Sequence, residues 1–348
     1  MAEVAFAIPG DLASPTGGYV YDREVLARLP DLGVRAHHLP LPDSFPEPSE
    51  ADLAETARRL AEAPAGAVLL VDGLAFGALP PALVAGLERP IVALVHHPLG
   101  LEPGLAPGRA AALLASERAA LVHAPRVVVT SRATARILVE DFGLPMARVT
   151  IAEPGTEPAP RAHGTGSPVG LLAVGAVSPR KGFRVLVEAL SGVRDLDWRL
   201  TIAGALDRAP DEAAALRAAI RAAGLGERVT LAGNIERADL DALYAAADVM
   251  VSPSLFEGYG MALAEALARG LPLVASTGGA AGDTVPDEAA LKVPPGDAGA
   301  LAEALRLMIE DEALRRARAD AAWAAGQALP RWSDTARLIA NVIREVAP

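Results

Sequence analysis

The sequence of 348 residues contains no cysteine. This absence excludes disulfide bonds, thiol nucleophiles, and zinc or iron–sulfur sites with cysteine ligands. Aromatic residues make up only 4% of the chain, and no apolar run approaches the roughly 20 residues of a membrane-spanning helix. The first residues, MAEVAFAIPGD, carry no basic leader and predict a strand in place of a signal peptide. We therefore expect a cytoplasmic protein.

Positive charge is also scarce, because 43 acidic residues outnumber 32 basic ones and give a net charge of −11. Proteins that bind the nucleic-acid backbone usually have a basic balance or a basic stripe, so we expect no nucleic-acid partner. Residues 109–148 are rich in arginine. That segment leaves open a peripheral contact with the inner face of a membrane, although solvated helix faces are the simpler interpretation.

Short apolar runs alternate with Ala/Leu/Arg-rich stretches of helical period along the whole chain. Continuous apolar runs suit strands that are buried on both faces, and helices between them indicate parallel βαβ units. Six strands are predicted in the first half: Val4–Ile8, Val34–Leu39, Val68–Val71, Ile91–His96, Val127–Thr130 and Val149–Ala152. Six more are predicted in the second half: Val169–Val174, Arg199–Ala203, Val229–Ala232, Val249–Ser252, Leu273–Ala275 and Leu291–Val293.

The segment PGTEPAPRAHGTGSP, residues 154–168, separates the two halves and has no apolar period, which is typical of a linker. We therefore predict an α/β fold with two doubly wound domains, residues 1–155 and 168–327. A last helix, residues 331–348, is expected to bury Leu338, Ile339, Val342 and Val346 on one stripe. Such sheets bind ligands at the carboxyl ends of their strands, and two facing sheets form a cleft.

The strongest motif is SPSLFEGYGMALAEALARGLPLVAS, residues 252–276, in which a glycine-bearing loop joins a strand to a helix. The N-terminus of that helix suits a diphosphate, because its N–H groups and its dipole both favour negative charge. If the stretch is mostly helical, Glu257 and Glu265 lie about 12 Å apart, at ~1.5 Å per residue. That distance is too long for one shared metal ion and suits two ends of a long ligand. An exposed loop Glu and a helix-surface Glu would fit the spacing equally well.

This motif resembles the signature of the retaining GT-B glycosyltransferases of family 4, the glycosyl transferases group 1. Three further stretches resemble the same family in the same order: TGGYVYDREVLARL, LAVGAVSPRKGFRVLVEAL and VTLAGNIERADLDALYAAADVMVSP. The resemblance implies two tandem Rossmann-like domains that face a cleft, with the last helix crossing back. It also implies transfer of a hexose, with retained configuration and without a cofactor, from a UDP- or GDP-linked donor. The acceptor would be a hydroxyl of a glycan, a lipid or a small molecule.

The resemblance also implies roles for individual residues. Arg180 and Lys181, which follow the first strand of the second domain, would neutralise the donor diphosphate. Glu257 would bind the sugar, and Glu265 would bind the ribose. The further donor contacts expected in this domain are Gly258, Tyr259, Gly260, Met261 and Asn234.

In the first domain, Gly17 and Gly18 would lie over the donor phosphates or the acceptor. A histidine after the fourth strand would lie near the transferred sugar. His96 and His97 both qualify, but adjacent residues of a strand point to opposite faces, and we favour His96.

No metal site is expected from the sequence. Asp195 with Asp197, and Asp239 with Asp241, imitate a metal-binding DxD motif. However, the first pair precedes a strand, and the second opens a helix, where acids simply suit the dipole. Two alternatives remain because this fold also hosts them: a nucleotide-sugar hydrolase or epimerase, and a catalytically inactive scaffold subunit.

Overall fold

The computed structural model describes residues 2–348 and divides into two units. One unit contains the chain up to Gly155 together with Pro330–Pro348, and the other contains Thr156–Leu329. Among the described residues, no helix is both long enough and apolar enough to cross a membrane.

The first unit contains a six-stranded parallel sheet in the order β2-β1-β3-β4-β5-β6. Strands β3 and β4 are buried at every position, as expected for strands covered on both faces. The strands are β1 (Ala2–Pro9), β2 (Val34–Leu41), β3 (Val68–Asp72), β4 (Ile91–Val95), β5 (Arg126–Val129) and β6 (Val149–Ile151). The helices are α1 (Gly17–Arg28), α2 (Glu50–Glu62), α3 (Gly73–Phe76), α4 (Pro81–Ala85), α5 (Pro107–Leu121) and α6 (Arg132–Glu140).

The second unit contains another six-stranded parallel sheet, in the order β12-β11-β10-β7-β8-β9. Its strands are β7 (Val169–Val174), β8 (Trp198–Ala203), β9 (Val229–Gly233), β10 (Val249–Ser252), β11 (Leu273–Ser276) and β12 (Ala290–Val293). Its helices are α7 (Phe183–Ser191), α8 (Pro210–Ala222), α9 (Arg237–Ala246), α10 (Met261–Ala268), α11 (Ala281–Thr284), α12 (Ala298–Glu310) and α13 (Glu312–Gln327).

All twelve predicted strands are confirmed, with ends that differ by at most two residues. In each sheet the strand order reverses once, between β1 and β3 in the first unit and between β7 and β10 in the second. The connections on either side of such a reversal leave the sheet in opposite directions, so a crevice opens at the carboxyl ends of the two strands.

The segment that we expected to be a linker, residues 154–168, mostly packs on the second unit. The carboxylate of Asp248 accepts hydrogen bonds from the main-chain N–H groups of Thr165, Gly166 and Gly170. Ala162 N–H donates to the carbonyl of Arg269 at 2.8 Å. The second unit therefore starts near residue 156, twelve residues before the predicted start at 168.

The last helix, α14 (Trp332–Val346), belongs to the first unit. The ring of Trp332 meets that of Tyr21 edge to face, with centroids 5.7 Å apart. A Cβ atom on Gly155 would lie 2.1 Å from the main-chain nitrogen of Trp332, so only glycine allows this approach. The predicted apolar stripe is confirmed at Ile339 and Val342, which are buried. It is wrong at Leu338, whose surface is 42% exposed. The buried face of the helix is instead centred on Trp332, Ala336, Ile339 and Ile343.

We expect Trp332→Ala to lower the free energy of unfolding by about 3–5 kcal/mol, the usual cost of deleting a large buried aromatic side chain. Denaturant unfolding followed by circular dichroism measures this change. Leu338→Ala, on the same helix but exposed, is the control and should change stability by no more than about 0.5 kcal/mol. Equal effects of the two substitutions would contradict the packing described here.

Candidate functional site

The crevice of the second unit brings together the loops that follow β7 and β10. Arg180 and Lys181 lie in a short 3-10 turn, Pro179–Lys181, after β7. A Cβ atom on Gly182 would lie 2.2 Å from the carbonyl oxygen of Pro253, so glycine lets this turn approach the loop after β10. The carbonyl of Arg180 accepts a hydrogen bond of 2.7 Å from Leu255 N–H, which joins the two loops.

Glu257 is the buried centre of this crevice, with 6% of its surface exposed. Its Oε1 lies 2.6 Å from Lys181 Nζ and accepts a hydrogen bond of 2.7 Å from Ser254 Oγ. Its Oε2 lies 3.2 Å from Arg180 Nη1. Burial raises the pKa of Glu257, but the charges of Lys181 and Arg180 outweigh it and lower the pKa to about 2. Glu257 is therefore ionised, and its three-residue network with Arg180 and Lys181 keeps a net positive charge.

The glycine-bearing loop between Glu257 and α10 is held by a second loop. Glu257 N–H donates to the carbonyl of Gly278, and the carbonyl of Glu257 accepts from Ala280 N–H at 2.7 Å. The buried Tyr259 accepts a hydrogen bond from Thr284 Oγ1 at its main-chain carbonyl. These contacts fix the path of Gly258, Tyr259 and Gly260 before the helix starts.

Helix α10 begins at Met261, and Gly260 precedes it with a φ of +94° and no capping side chain. Leu263 N–H donates to the carbonyl of Gly260 at 2.9 Å, whereas the amides at the very start of a helix have no partner within it and can bind an anion. Gly260 and Met261 therefore lie where the loop that carries Glu257 runs into α10.

Glu265 lies on α10 in a different network. Its carboxylate accepts hydrogen bonds from Arg237 Nη1 at 2.8 Å and from Tyr244 OH at 3.0 Å. The guanidinium of Arg269 lies over the ring of Tyr244, 4.6 Å from its centroid. Sequence reasoning missed Arg237 and Tyr244, although both lie in the stretch VTLAGNIERADLDALYAAADVMVSP that carries the family resemblance. Asn234 is exposed at the end of the edge strand β9, two strands away from β7.

In the first unit, the side chain of His96 lies beside α1. Its Nε2 lies 3.1 Å from Asp72 Oδ2 and 3.5 Å from Asp22 Oδ1. A Cβ atom on Gly18 would lie 3.6 Å from the imidazole, so Gly17–Gly18, which open α1, run close beside the ring. His97 instead pairs with Glu102 at 3.0 Å.

Asp22 and Asp72 are the residues of this cluster that sequence reasoning missed. Asp72 ends β3, and Asp22 lies four residues after Gly18 on α1. The position of Asp72 directly after the apolar run VLLV was the available signal. Within residues 2–348, Asp22, Asp72 and His96 form the one group that could hold a metal ion, with ligand atoms within 4.8 Å of one another. Spacing along the chain does not reveal this cluster, because its members come from three separate elements.

Burial and the neighbouring Asp72 raise the pKa of Asp22 to about 7. Burial alone would lower the pKa of His96, but the carboxylates of Asp22 and Asp72 outweigh it and raise that pKa to about 10. The cluster therefore favours a protonated imidazole between the two acids.

Sequence models of two families match this chain. Glycosyl transferases group 1 matches residues 160–323, and the Glycosyl transferase 4-like domain matches residues 3–155. The D-inositol 3-phosphate glycosyltransferase of Xylanimonas cellulosilytica is 30% identical over 281 residues, which cover 73% of this chain and 67% of that relative. The chain belongs to the glycosyl transferases group 1 family.

Other curated relatives of this group 1 chain match over shorter regions. The D-inositol 3-phosphate glycosyltransferase of Arthrobacter sp. is 33% identical over 55% of this chain and 49% of its own length. The phosphatidyl-myo-inositol mannosyltransferase of Mycobacterium leprae is 38% identical over 49% of this chain and 44% of its own length. The chain thus spans about half the length of these two relatives.

Solved structures confirm the GT-B fold of this group 1 chain. The sucrose-phosphate synthase of Thermosynechococcus elongatus has a TM-score of 0.83 at 24% identity and covers 99% of both chains. The Anabaena protein HepE in complex with UDP-glucose has a TM-score of 0.79 at 18% identity, over 99% of this chain and 100% of that one.

We expect His96 of this group 1 chain, free of metal ions, to stay protonated at pH 8, because its pKa is raised to about 10. Since the folded pKa lies above the unfolded value of about 6.5, protonation of His96 favours the folded state, and this contribution to stability is complete below pH 6.5. That contribution is then lost as the pH rises towards 10. NMR titration of the imidazole nitrogens, with His96→Gln to assign the signal, measures the folded pKa. Deprotonation near pH 6.5 would contradict this prediction.

Proposed function

We propose that this chain is a retaining glycosyltransferase that moves a hexose from a UDP- or GDP-linked donor to an acceptor hydroxyl. The observation that carries the proposal is the buried network of Glu257 with Lys181 and Arg180 at the carboxyl ends of β7 and β10. The names of the relatives support it, since they are glycosyltransferases and a mannosyltransferase. The UDP-glucose in the Anabaena structure supports a nucleotide-sugar donor.

The charges of this network suit a diphosphate leaving group. The two positive charges of Lys181 and Arg180 outnumber the single negative charge of Glu257, and α10 adds the positive end of its dipole. As the bond to the sugar breaks, negative charge grows on the diphosphate, and fixed cations in a partly buried site stabilise it without reorganisation. Arg180 and Lys181 therefore act on the leaving group, and no divalent ion is needed at the diphosphate.

Glu257 is suited to bind the sugar and not to donate a proton. With a pKa of about 2 its carboxylate is ionised and can only accept hydrogen bonds, which hydroxyl groups of a hexose supply. Its ion pairs also hold Lys181 in position. Glu265, held by Arg237 and Tyr244, is assigned to the ribose, and His96 to the transferred sugar. Transfer then proceeds on one face of the sugar, with the leaving phosphate assisting deprotonation of the acceptor.

Lys181→Ala and Glu265→Ala are expected to impair transfer in different ways. Lys181 stabilises charge that grows in the transition state, so its loss should lower kcat by about two to three decades, or roughly 3–4 kcal/mol. Glu265 contacts the donor far from the reacting carbon, so its loss should mainly raise the donor KM, by about 1.5–3 kcal/mol. Steady-state kinetics at saturating acceptor measure both effects.

Matched controls for these two variants are Lys292→Ala, whose lysine pairs with Asp287, and Glu303→Ala on the exposed side of α12. Both controls should keep kcat and KM close to those of the unchanged protein. An effect of Lys181→Ala on KM alone, or an unchanged donor affinity in Glu265→Ala, would mean that the donor site is wrongly assigned.

The product should keep the anomeric configuration of the donor, and turnover should require the acceptor. Proton NMR of fresh product reports the configuration, and release of the nucleotide with and without acceptor reports the requirement. An inverted linkage would refute retention. Turnover without acceptor would favour the hydrolase or epimerase, and donor binding without any turnover would favour the inactive scaffold.

A further inference from the structure

The His96 loop, residues 96–102, follows β4 and packs against α5. Its centre is the 3-10 turn Leu99–Leu101. A Cβ atom on Gly100 would lie 2.4 Å from the carbonyl oxygen of Ala110 on α5, so the main chains of the loop and of the helix approach each other closely. The position of His96, at the start of this loop, therefore depends on how firmly the loop is held on α5.

Glu117 of α5 is the side chain that holds the centre of the His96 loop. It is fully buried, and its Oε2 accepts a hydrogen bond of 3.0 Å from Leu99 N–H. Its Oε1 is buried without a hydrogen-bond partner. A Cβ atom on Gly77 would lie 3.1 Å from Glu117 Cδ and 2.9 Å from Leu99 Cδ1, so there is no spare room around the carboxyl. Glutamates are almost never fully buried unless they are paired, which indicates a role for this one.

The surroundings supply no counter-charge to Glu117. The charged side chains of the His96 loop and of α5 interact with other residues: His97 with Glu102, Arg109 with Glu47, and Arg118 with the ring of Phe142. Helix α4 and the turn Leu99–Leu101, which pack against α5, contain no ionisable residue, and neither does α3. Burial raises the pKa of the Glu117 carboxyl from its ordinary value of 4.5 to about 8, and the hydrogen bond from Leu99 N–H offsets only part of the rise.

The closed loop therefore favours the protonated carboxyl. If Glu117 ionised in place, its charge would meet one N–H donor and no water, which is costly. An opened loop would let water reach the carboxylate and return its pKa towards 4.5. Opening is therefore opposed most strongly below pH 4.5, and it becomes about tenfold easier for each pH unit between 4.5 and 8.

We propose that Glu117 is a positioning residue whose protonated carboxyl holds the His96 loop, and with it His96, in place on α5. It does not touch the reacting groups. Thr130 Oγ1 fixes the carbonyl of His96 at 3.1 Å, and Glu117 fixes the main chain three residues further on. A looser loop would let the imidazole leave its place between Asp22 and Asp72. The effect on sugar transfer rests on the proposed function, whereas the hold on the loop does not.

Amide hydrogen exchange of the full chain, read by mass spectrometry on a peptide that covers the His96 loop, tests the hold directly. Glu117→Gln is the decisive variant, because its amide oxygen can accept the bond from Leu99 N–H but does not titrate. Residue 117 lies outside the peptide, so the intrinsic exchange rates are the same in both proteins. Asp22 and His96 titrate in both proteins, so the ratio of protection, variant to unchanged protein, isolates Glu117. We expect this ratio to rise about thirtyfold from pH 6.0 to pH 7.5.

Steady-state kinetics at pH 7.5 test whether the loop positions His96. Glu117→Leu removes the acceptor of Leu99 N–H and should lower kcat about tenfold or more, because a misplaced group loses its contacts in the transition state. The donor KM should change by less than about twofold, since the residues assigned to the diphosphate and the ribose lie in the second unit. Glu117→Gln should restore most of kcat. The matched control is Glu140→Gln, exposed on α6, which should change neither kcat nor protection.

A protection ratio that is the same at both pH values would overturn the proposal. Equal protection of the His96 loop and of a β1 peptide would also overturn it, because the loop would then open only when the whole unit unfolds. So would a folded Glu117→Leu variant with unchanged protection and unchanged kcat. Circular dichroism reports folding, and the Glu117→Gln comparison decides alone if Glu117→Leu does not fold. The expected protection ratio in a chain that turns over no donor would uphold the hold on the loop and refute the proposed transfer.

Discussion

Parallel pairing of apolar strands determines where charged side chains can lie in both units. Strands such as β3 and β4 are buried along their whole length, so a polar group is tolerated only where a strand ends. All carboxyl ends of a parallel sheet lie on one edge, and the reversal of strand order opens a crevice there. Residues from distant parts of the sequence therefore meet at that edge: Asp22, Asp72 and His96 in the first unit, and Arg180, Lys181 and Glu257 in the second.

The two crevices have opposite charge balance. Around Glu257 two cations hold one carboxylate ionised, and its pKa falls to about 2. Around His96 two carboxylates hold one imidazole, and its pKa rises to about 10. The first arrangement keeps a net positive charge, which suits the diphosphate proposed for the second unit. In the second arrangement the cation is the protonated imidazole itself, which lies between the two acids.

Close approach of main chains makes the crevice of the second unit possible. Gly182 permits contact with Pro253, and a Cβ atom on Gly278 would lie 2.2 Å from the carbonyl oxygen of Leu255. Larger residues would push the loops after β7, β10 and β11 apart, and the ion pairs of Glu257 depend on their separation. Gly182 and Gly278 are therefore required for reasons of space, and at Gly182, where φ is +64°, also for backbone conformation.

The sequence by itself determined the class of fold, the twelve strands and the family, because these depend on local apolar periodicity and on motifs within short stretches of chain. It also identified Arg180, Lys181 and Glu257, which lie in two such motifs. Only the tertiary structure decided that these three form one ion network, that Arg237 and Tyr244 hold Glu265, and that Asp22 and Asp72 surround His96. The packing of residues 156–168 on the second unit and the buried face of α14 were decided in the same way. Each of these features depends on contacts between elements far apart in the chain, and neither periodicity nor spacing along the sequence records such contacts.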